Sequence, residues 1–181
     1  MIETVSSAFE LKAVSAAGVF EGYASIFADV DLSKDSVRPG AFAKTIAERG
    51  TDGIKLLWQH DPAEPIGVIE ELFEDGRGLY VKGRLLLDVQ RAREALALMR
   101  KGALDGLSIG FRTVRSATDE ASGIRHLEEV DLWEVSLVTF PMQPAARVRH
   151  LKTAAPKPGE SKAGWPELLK SLRRLEQSLK R

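Results

Sequence analysis

The chain has 181 residues and no cysteine, with 26 Lys and Arg balanced by 26 Asp and Glu. A hydrophobic fraction of 44% and a charged fraction of 29% are typical of a globular soluble protein, and the lack of cysteine excludes disulfides, thiol nucleophiles and thiolate metal sites. No segment reaches the about 20 apolar residues of a membrane span, and residues 1–7 lack the basic start and apolar stretch of a signal peptide.

Local patterns predict six strands and two helices. Alternation of apolar and polar residues indicates the strands, whereas flanking Pro and Gly residues or a helical apolar spacing indicate the helices. The sequence Asp75-Gly76-Arg77-Gly78 predicts a hairpin turn between two of the strands. In chain order the predicted elements are strand 19–27, helix 41–49, strand 54–59, strand 66–73, strand 79–87, helix 89–101, strand 107–114 and strand 125–139.

The order of these elements favours a mainly β fold with a few helices. A parallel α/β protein would show strands and helices in regular alternation, and no such βαβ rhythm occurs here. We therefore expect an antiparallel sheet or barrel of the α+β class.

The composition changes after about residue 151. Residues 152–164 are rich in Pro, Ala, Lys and Gly, which predicts a flexible linker. Residues 165–181 carry leucines at helical spacing opposite a charged face, which predicts a basic amphipathic helix that docks on a partner or pairs with itself. The chain is thus expected to divide into a domain over residues 1–151, a linker and a C-terminal helix.

Ser108 is the first candidate for chemistry, because the residues 106–110 match the G-x-S-x-G pattern of serine hydrolases. In α/β-hydrolases this serine occupies a strand-to-helix turn, and the acid and the histidine follow it in the chain. Residues 111–115 alternate like a strand, and the best histidine precedes the serine. The elbow interpretation is therefore disfavoured, and Ser108 is either a nucleophile in another setting or a small residue in a tight strand.

His60 is the best candidate for a general base. It follows the apolar run 54–59 and precedes the turn signal Asp61-Pro62, so it is expected at a strand end beside a loop. Imidazole titrates near neutral pH, which suits a general base, although a lone histidine beside a turn is commonly a surface residue. His126 and His150 show no zinc-ligand spacing with it, and we expect no metal or other cofactor.

Glu134 is a carboxylate within the apolar stretch 132–140. By alternation its side chain shares a face with Leu132, Ser136 and Val138. A buried carboxylate needs a partner, which is either a structural arginine or a histidine that it orients. Asp131 and Glu129 are alternative acids, but they lie nearer the polar beginning of the strand.

Six motifs occur in a fixed order along residues 10–150: GYASIF at 22–27, VRPGAF at 37–42, LWQHD at 57–61, PIG at 65–67, GLSIGF at 106–111 and EVSLVTFP at 134–141. In this the chain resembles the prohead, or capsid-maturation, serine proteases of tailed bacteriophages, which are considered related to the herpesvirus assemblins. The resemblance implies a closed β-barrel with surrounding helices.

The resemblance also implies a catalytic triad of His60, Ser108 and an acid, for which Glu134 is the best match. Family members commonly have Phe-Pro-Ala-Asn-Pro after the last motif strand, whereas this chain has Phe140-Pro141-Met142-Gln143-Pro144. A role of that asparagine in shaping an oxyanion loop therefore does not carry over directly.

The family's substrate is the scaffolding part of the major capsid protein, which is cut inside the immature capsid in the cytoplasm of the bacterial host, along with the protease itself. The linker 152–164 is then a candidate self-cleavage site, and the basic helix 165–181 a tether to the scaffold. We expect self-association but no membrane or nucleic-acid partner. Two alternatives stay open: a catalytically idle capsid-assembly module, and a serine esterase if Ser108 lies at a strand-to-helix elbow.

Overall fold

A computed structural model describes residues 18–151, which form an eight-stranded sheet with two helices. In chain order the elements are β1 (Val19–Ile26), β2 (Asp35–Val37), α1 (Ala43–Arg49), β3 (Lys55–Trp58), β4 (Asp61–Glu74), β5 (Gly78–Leu85), α2 (Gln90–Arg100), β6 (Gly106–Thr118), β7 (Arg125–Val138) and β8 (Val148–Leu151). Each strand and helix predicted between residues 19 and 139 is present, although several ends differ, and the predicted mainly β class is confirmed.

Local patterns do not predict the two shortest strands, β2 and β8. They have three and four residues, too few for a period-two pattern to be recognised. β2 is buried and pairs with the beginning of β7, and β8 pairs with β1. Both segments are strands because distant partners supply their hydrogen bonds.

The sheet is mixed, so the prediction of a purely antiparallel sheet is wrong. β6 pairs antiparallel with β7 along nearly its whole length. The other edge of β7 pairs with β2 and then with β3, and both of these strands run parallel to it. Parallel neighbours need a long crossover connection, and β4, β5, α2 and β6 all lie between β3 and β7 in the chain. Alternation along a strand carries no information on such a pairing.

Helix α1 covers the part of the β7 edge between β2 and β3. Thr45 Oγ1 donates to Val130 O at 2.8 Å and accepts from Leu132 N at 3.2 Å. Val130 N also donates to Ala41 O at 3.0 Å. On this edge of β7, where no strand pairs with it, the buried backbone is thus hydrogen-bonded to a helix side chain and a loop carbonyl.

The sheet is curled, in the order β2-β7-β3-β4-β5-β1-β8, with β6 on the opposite edge of β7. The beginning of β8 and the loop before it lie beside the start of β6. There Leu107 N donates to Ala146 O and Val148 N donates to Asp105 O, both at 2.9 Å. The segment 146–148 therefore links β1 to the strand that carries Ser108.

Alternation along β6 and β7 separates core residues from candidate site residues. Leu107, Val135 and Leu137 are fully buried in the main hydrophobic core. Residues 108, 134 and 136 lie between them in sequence and so belong to the other face of the strands. Within the described residues, no helix is long and apolar enough to cross a membrane. The predicted linker 152–164 and helix 165–181 lie outside the described part of the chain.

Candidate functional site

His60 lies in the two-residue turn between β3 and β4. Trp58 and Asp61 are paired across the hairpin, and Gln59 and His60 have φ angles of 51° and 61°. Positive φ at both central residues is the requirement of a type I′ turn. Residues other than glycine adopt it at a cost of about 1–2 kcal/mol each, so surrounding contacts must hold this turn.

Contacts to β7 hold the turn in place. Gln59 N donates to Leu137 O at 3.0 Å, and Gln59 Nε2 donates to Thr139 Oγ1 at 2.8 Å. Thr139 N donates in return to Gln59 Oε1 at 3.3 Å. Gln59 therefore anchors the hairpin tip to the end of β7, which leaves the His60 side chain free for another role.

The carboxylate of Glu134 contacts the His60 ring. Glu134 Oε1 lies 2.5 Å from His60 Nδ1, although 74 residues separate them in the chain. Glu134 is 9% exposed, and β3 brings the hairpin to it by pairing in parallel with residues 134–137 of β7. Of the two partners considered for this buried carboxylate, the histidine is therefore the one observed.

Gly110 provides the space for that carboxylate. It is the cross-strand partner of Glu134, and a Cβ atom built on it would collide with Glu134 Oε1. Any other residue at this position would push the carboxylate away from His60. The second glycine of the G-x-S-x-G pattern thus has a packing reason that is unrelated to a hydrolase elbow.

Ser136 joins the turn to the carboxylate. Its hydroxyl donates to Glu134 Oε2 at 2.7 Å and accepts from His60 N at 3.0 Å. Ser136 is fully buried. The sequence patterns place it on the face of Glu134 but give it no role, because a serine inside an apolar strand has no chemical signature of its own.

Ser108 is the third residue of β6 and lies directly opposite Ser136. It is 4% exposed, and its hydroxyl forms no hydrogen bond within residues 18–151 of this structure. β6 continues as a strand to Thr118, so no helix follows the serine and the hydrolase-elbow interpretation is wrong. The structure thus brings His60 and Glu134 into contact and sets Ser108 on the neighbouring strand, without a His60–Ser108 hydrogen bond.

The two alternative acids have other partners. Asp131 accepts from Arg49 Nη2 at 2.7 Å and from Trp133 Nε1 at 2.9 Å. The Trp133 hydrogen bond, with the Arg49 guanidinium beside it, lowers the pKa of Asp131. Glu129 binds Lys44 at 3.2 Å. These surface ion pairs leave Glu134 as the acid that reaches His60.

The other two histidines belong to other strands of the fold. His126 lies at the start of β7 beside Ser36, and its buried Nδ1 has no hydrogen-bond partner within residues 18–151. His150 belongs to β8, and its side chain lies outside the described part of the structure. Among the described residues, no group of His, Asp and Glu side chains has the arrangement of a metal site.

Gln143 holds the loop after β7. Its Nε2 donates to Ile26 O at 3.0 Å and to Asp29 O at 3.1 Å, and its Oε1 accepts from Ile26 N at 2.7 Å. Gln143 is 7% exposed. Its amide therefore ties the loop to the end of β1 and is not free to contact a substrate.

A cavity of about 150 Å³ lies beside β6. It is lined by Leu107, Ser108 and Ile109 of β6 and by Met142 and Gln143 of the loop after β7. Asp35, which also lines it, already forms two hydrogen bonds with Arg125, at 2.7 and 2.5 Å. The cavity borders the candidate nucleophile Ser108, whereas neither His60 nor Glu134 is among its described lining residues.

Comparison with known proteins gives matches in sequence and matches in structure. The model of the family described as caudovirus prohead serine protease matches residues 7–158. The prohead protease of Enterobacteria phage HK97 is 33% identical over 138 residues, which are 75% of this chain and 61% of that protein. The chain therefore spans about three fifths of the length of this relative.

Two solved structures are similar to the fold. The bacteriophage T4 capsid assembly protease has a TM-score of 0.52 at 18% identity, over 66% of this chain and 82% of that chain. The KSHV protease in complex with a hexapeptide phosphonate inhibitor has a TM-score of 0.46 at 12% identity, over 72% of this chain and 63% of that chain.

Proposed function

Because the chain belongs to the caudovirus prohead serine protease family, we propose that it is a serine endopeptidase of capsid maturation with Ser108, His60 and Glu134 as its catalytic triad. The observation that carries this proposal is the 2.5 Å contact between His60 Nδ1 and Glu134 Oε1, one strand away from Ser108. A buried carboxylate on an imidazole is the arrangement that orients a general base in serine proteases.

In the proposed mechanism Glu134 accepts a hydrogen bond from Nδ1–H of His60, which leaves Nε2 free to take a proton. Ser108 Oγ attacks the peptide carbonyl while its proton moves to Nε2, and the imidazolium then protonates the leaving amine. Water attacks the resulting acyl-enzyme by the same route in reverse. The Ser108–His60 hydrogen bond forms when substrate is bound, since such contacts are commonly long in free enzymes.

The oxyanion of the tetrahedral intermediate needs backbone N–H donors, and we propose that the loop after Phe140 supplies them. Phe140 is 89% exposed and directly follows Thr139, which is hydrogen-bonded to the His60 turn through Gln59. Gln143 fixes this loop from the other side. No metal or organic cofactor enters the proposed mechanism.

We further infer that the curled sheet closes into a barrel. Two hydrogen bonds at 2.9 Å already join the segment 146–148 to residues 105 and 107 at the start of β6, and that segment runs into β8 beside β1. Closure at this point supports Ser108, which follows Leu107 directly.

The proposed substrates are the scaffolding region of the major capsid protein and the protease itself, cut inside the immature capsid in the host cytoplasm. Residues 1–151 would form the protease domain, 152–164 a linker that is itself cut, and 165–181 a basic helix that tethers the enzyme to the scaffold. Deleting residues 152–181 should reduce incorporation into proheads and leave cleavage of added substrate intact. Full incorporation of the deletion variant would contradict the tether.

The decisive experiment is co-expression with the major capsid protein that the chain is proposed to cut. A shortened capsid product is expected with the wild-type chain and with Ser116→Ala, an exposed serine on the same strand, but not with Ser108→Ala. Shortening by Ser108→Ala would refute the assignment of the nucleophile.

The missing Ser108–His60 hydrogen bond favours one alternative, a catalytically idle capsid-assembly module on the same fold. A fluorophosphonate reacts covalently with an activated serine only. Labelling of the wild-type chain but not of Ser108→Ala identifies an active enzyme, whereas an unlabelled, correctly folded wild-type chain supports the idle module.

A further inference from the structure

We propose that Ser136 is a positioning residue of the catalytic site, which holds the Glu134 carboxylate and the His60 turn in register with each other. This inference rests on the proposed function of His60 and Glu134. It adds a fourth side chain that never touches the substrate but determines the orientation of the acid and of the base.

The direction of each hydrogen bond at Ser136 follows from its partners. His60 N is a donor, so Ser136 Oγ accepts from it at 3.0 Å. An ionised carboxylate accepts only, so the single Ser136 proton points to Glu134 Oε2 at 2.7 Å. Neither partner leaves the hydroxyl free to rotate, and its one donor is committed to the acid.

These contacts form a closed cycle with the His60–Glu134 hydrogen bond. One carboxylate oxygen of Glu134 binds the ring of His60, the other binds Ser136, and Ser136 binds the backbone of His60. The cycle fixes the carboxylate plane and the position of the histidine backbone together. Such buried chains also polarise each donor in turn, which strengthens the hydrogen bond to the imidazole.

The backbone of His60 needs this support because it has a φ angle of 61°. Gln59 holds the first half of the turn through Leu137 and Thr139. Ser136 holds the second half, through the N–H of His60 itself. Without Ser136 the N–H of His60 and one carboxylate oxygen of Glu134 both lose a partner, so the contact between the ring and the acid is no longer held in place.

The burial of Ser136 argues against its acting as a nucleophile itself. It is 0% exposed, whereas Ser108 is 4% exposed on the adjacent strand. The two are cross-strand partners, so their Cβ atoms are about 5 Å apart. The hydroxyl of Ser136 is hydrogen-bonded to Glu134, whereas the hydroxyl of Ser108 is available to attack a substrate.

The test compares Ser136→Ala with Ser136→Cys and Ser136→Thr in the full chain. Alanine removes the hydroxyl, cysteine keeps the shape but is a weak donor, and threonine restores the hydroxyl. Ser36→Ala is the matched control, since Ser36 is 2% exposed and pairs at the far end of β7. The readouts are the rate of fluorophosphonate labelling at Ser108 and the NMR resonance of the His60 Nδ1 proton.

We expect Ser136→Ala and Ser136→Cys to label about 10²-fold more slowly, the size of loss caused by a misplaced catalytic group. Their His60 Nδ1 proton resonance should shift or exchange away, while Ser136→Thr and Ser36→Ala retain both properties. A change in folding stability alone would move neither the resonance nor the labelling rate of the folded fraction. An unchanged resonance and labelling rate in the folded Ala or Cys variant would overturn the proposal.

The NMR resonance of the His60 Nδ1 proton tests this inference independently of the proposed protease activity. If the wild-type chain shows no labelling at Ser108, the proposed function fails, yet a loss of the His60 resonance in Ser136→Ala still demonstrates the positioning contact.

Discussion

The carboxylate of Glu134 occupies the space directly over Gly110, where any side chain would displace it. We therefore predict that Gly110→Ala loses labelling and cleavage by about 10²-fold or more, because the acid moves away from His60. The variant should stay folded, since the strand pairing of β6 with β7 uses only the backbone. Activity is measured by fluorophosphonate labelling and by capsid-protein cleavage.

Gly76→Ala is the matched control for that substitution. Gly76 lies in the turn between β4 and β5, and a Cβ atom there meets nothing within 4 Å. It should keep full activity. Equal activity of Gly110→Ala and Gly76→Ala would show that the position of the Glu134 carboxylate does not matter for the reaction.

Glu134→Gln should reduce turnover by up to about 10⁴-fold, the loss known for replacement of a triad acid by its amide. The two oxygens of Glu134 accept from His60 and from Ser136. An amide offers one acceptor and one donor, so one of these partners must turn away. The measurement is kcat on a capsid-derived peptide, with solubility and melting temperature as checks of folding.

Asp131→Asn is the control that separates the rival acids. Asp131 binds Arg49 and Trp133 at the surface, so its substitution should leave kcat near the wild-type value. A severe loss with Asp131→Asn and a mild one with Glu134→Gln would reverse the assignment of the acid.

Ala28 has a φ angle of 59° on an exposed loop, a conformation that costs an L-residue about 1–2 kcal/mol. Ala28→Gly should therefore raise the free energy of unfolding by about 0.5–1 kcal/mol, after the larger chain entropy of glycine is subtracted. Urea denaturation measures the change. Ala121→Gly, on an exposed loop without a positive φ, should lower it instead, and a loss of stability in both variants would contradict the strain at Ala28.

Tyr80 should make the fold sensitive to alkaline pH. Burial, together with the nearby charge of Glu21 and the hydrogen bond to it, raises the pKa of Tyr80 from 10.0 to about 12. Between these pH values the folded protein keeps a proton that the unfolded chain releases. The contribution of Tyr80 to the free energy of unfolding is therefore complete below pH 10 and is lost as the pH rises toward 12.

Tyr80→Phe tests this dependence, because it keeps the ring stacked on Phe73 and removes the phenol. Denaturation at a series of alkaline pH values should show a shallower decline for the variant than for the wild-type chain. An identical decline in both would assign the alkaline transition to other groups.

The sequence by itself determined the local elements and the candidate chemistry. Period-two alternation indicates which residues form strands, and it sets Glu134 and Ser136 on the same face of β7, as observed. The turn signal after the apolar run 54–59 predicts His60 at a strand end beside a loop, and the structure has it in the tight turn between β3 and β4. These are short-range properties, since neighbouring residues determine backbone conformation and the alternation of faces.

The family resemblance implied that His60 and Glu134 act together, but only the tertiary structure shows how these residues meet. The parallel pairing of β3 with β7 carries His60 to Glu134 across 74 residues, and the register of β6 sets Gly110 under the carboxylate. The choice of histidine over arginine as the partner of Glu134, and the use of Ser136 to join them, follow from this register. Register depends on contacts between distant strands, and no local period in the sequence encodes those contacts.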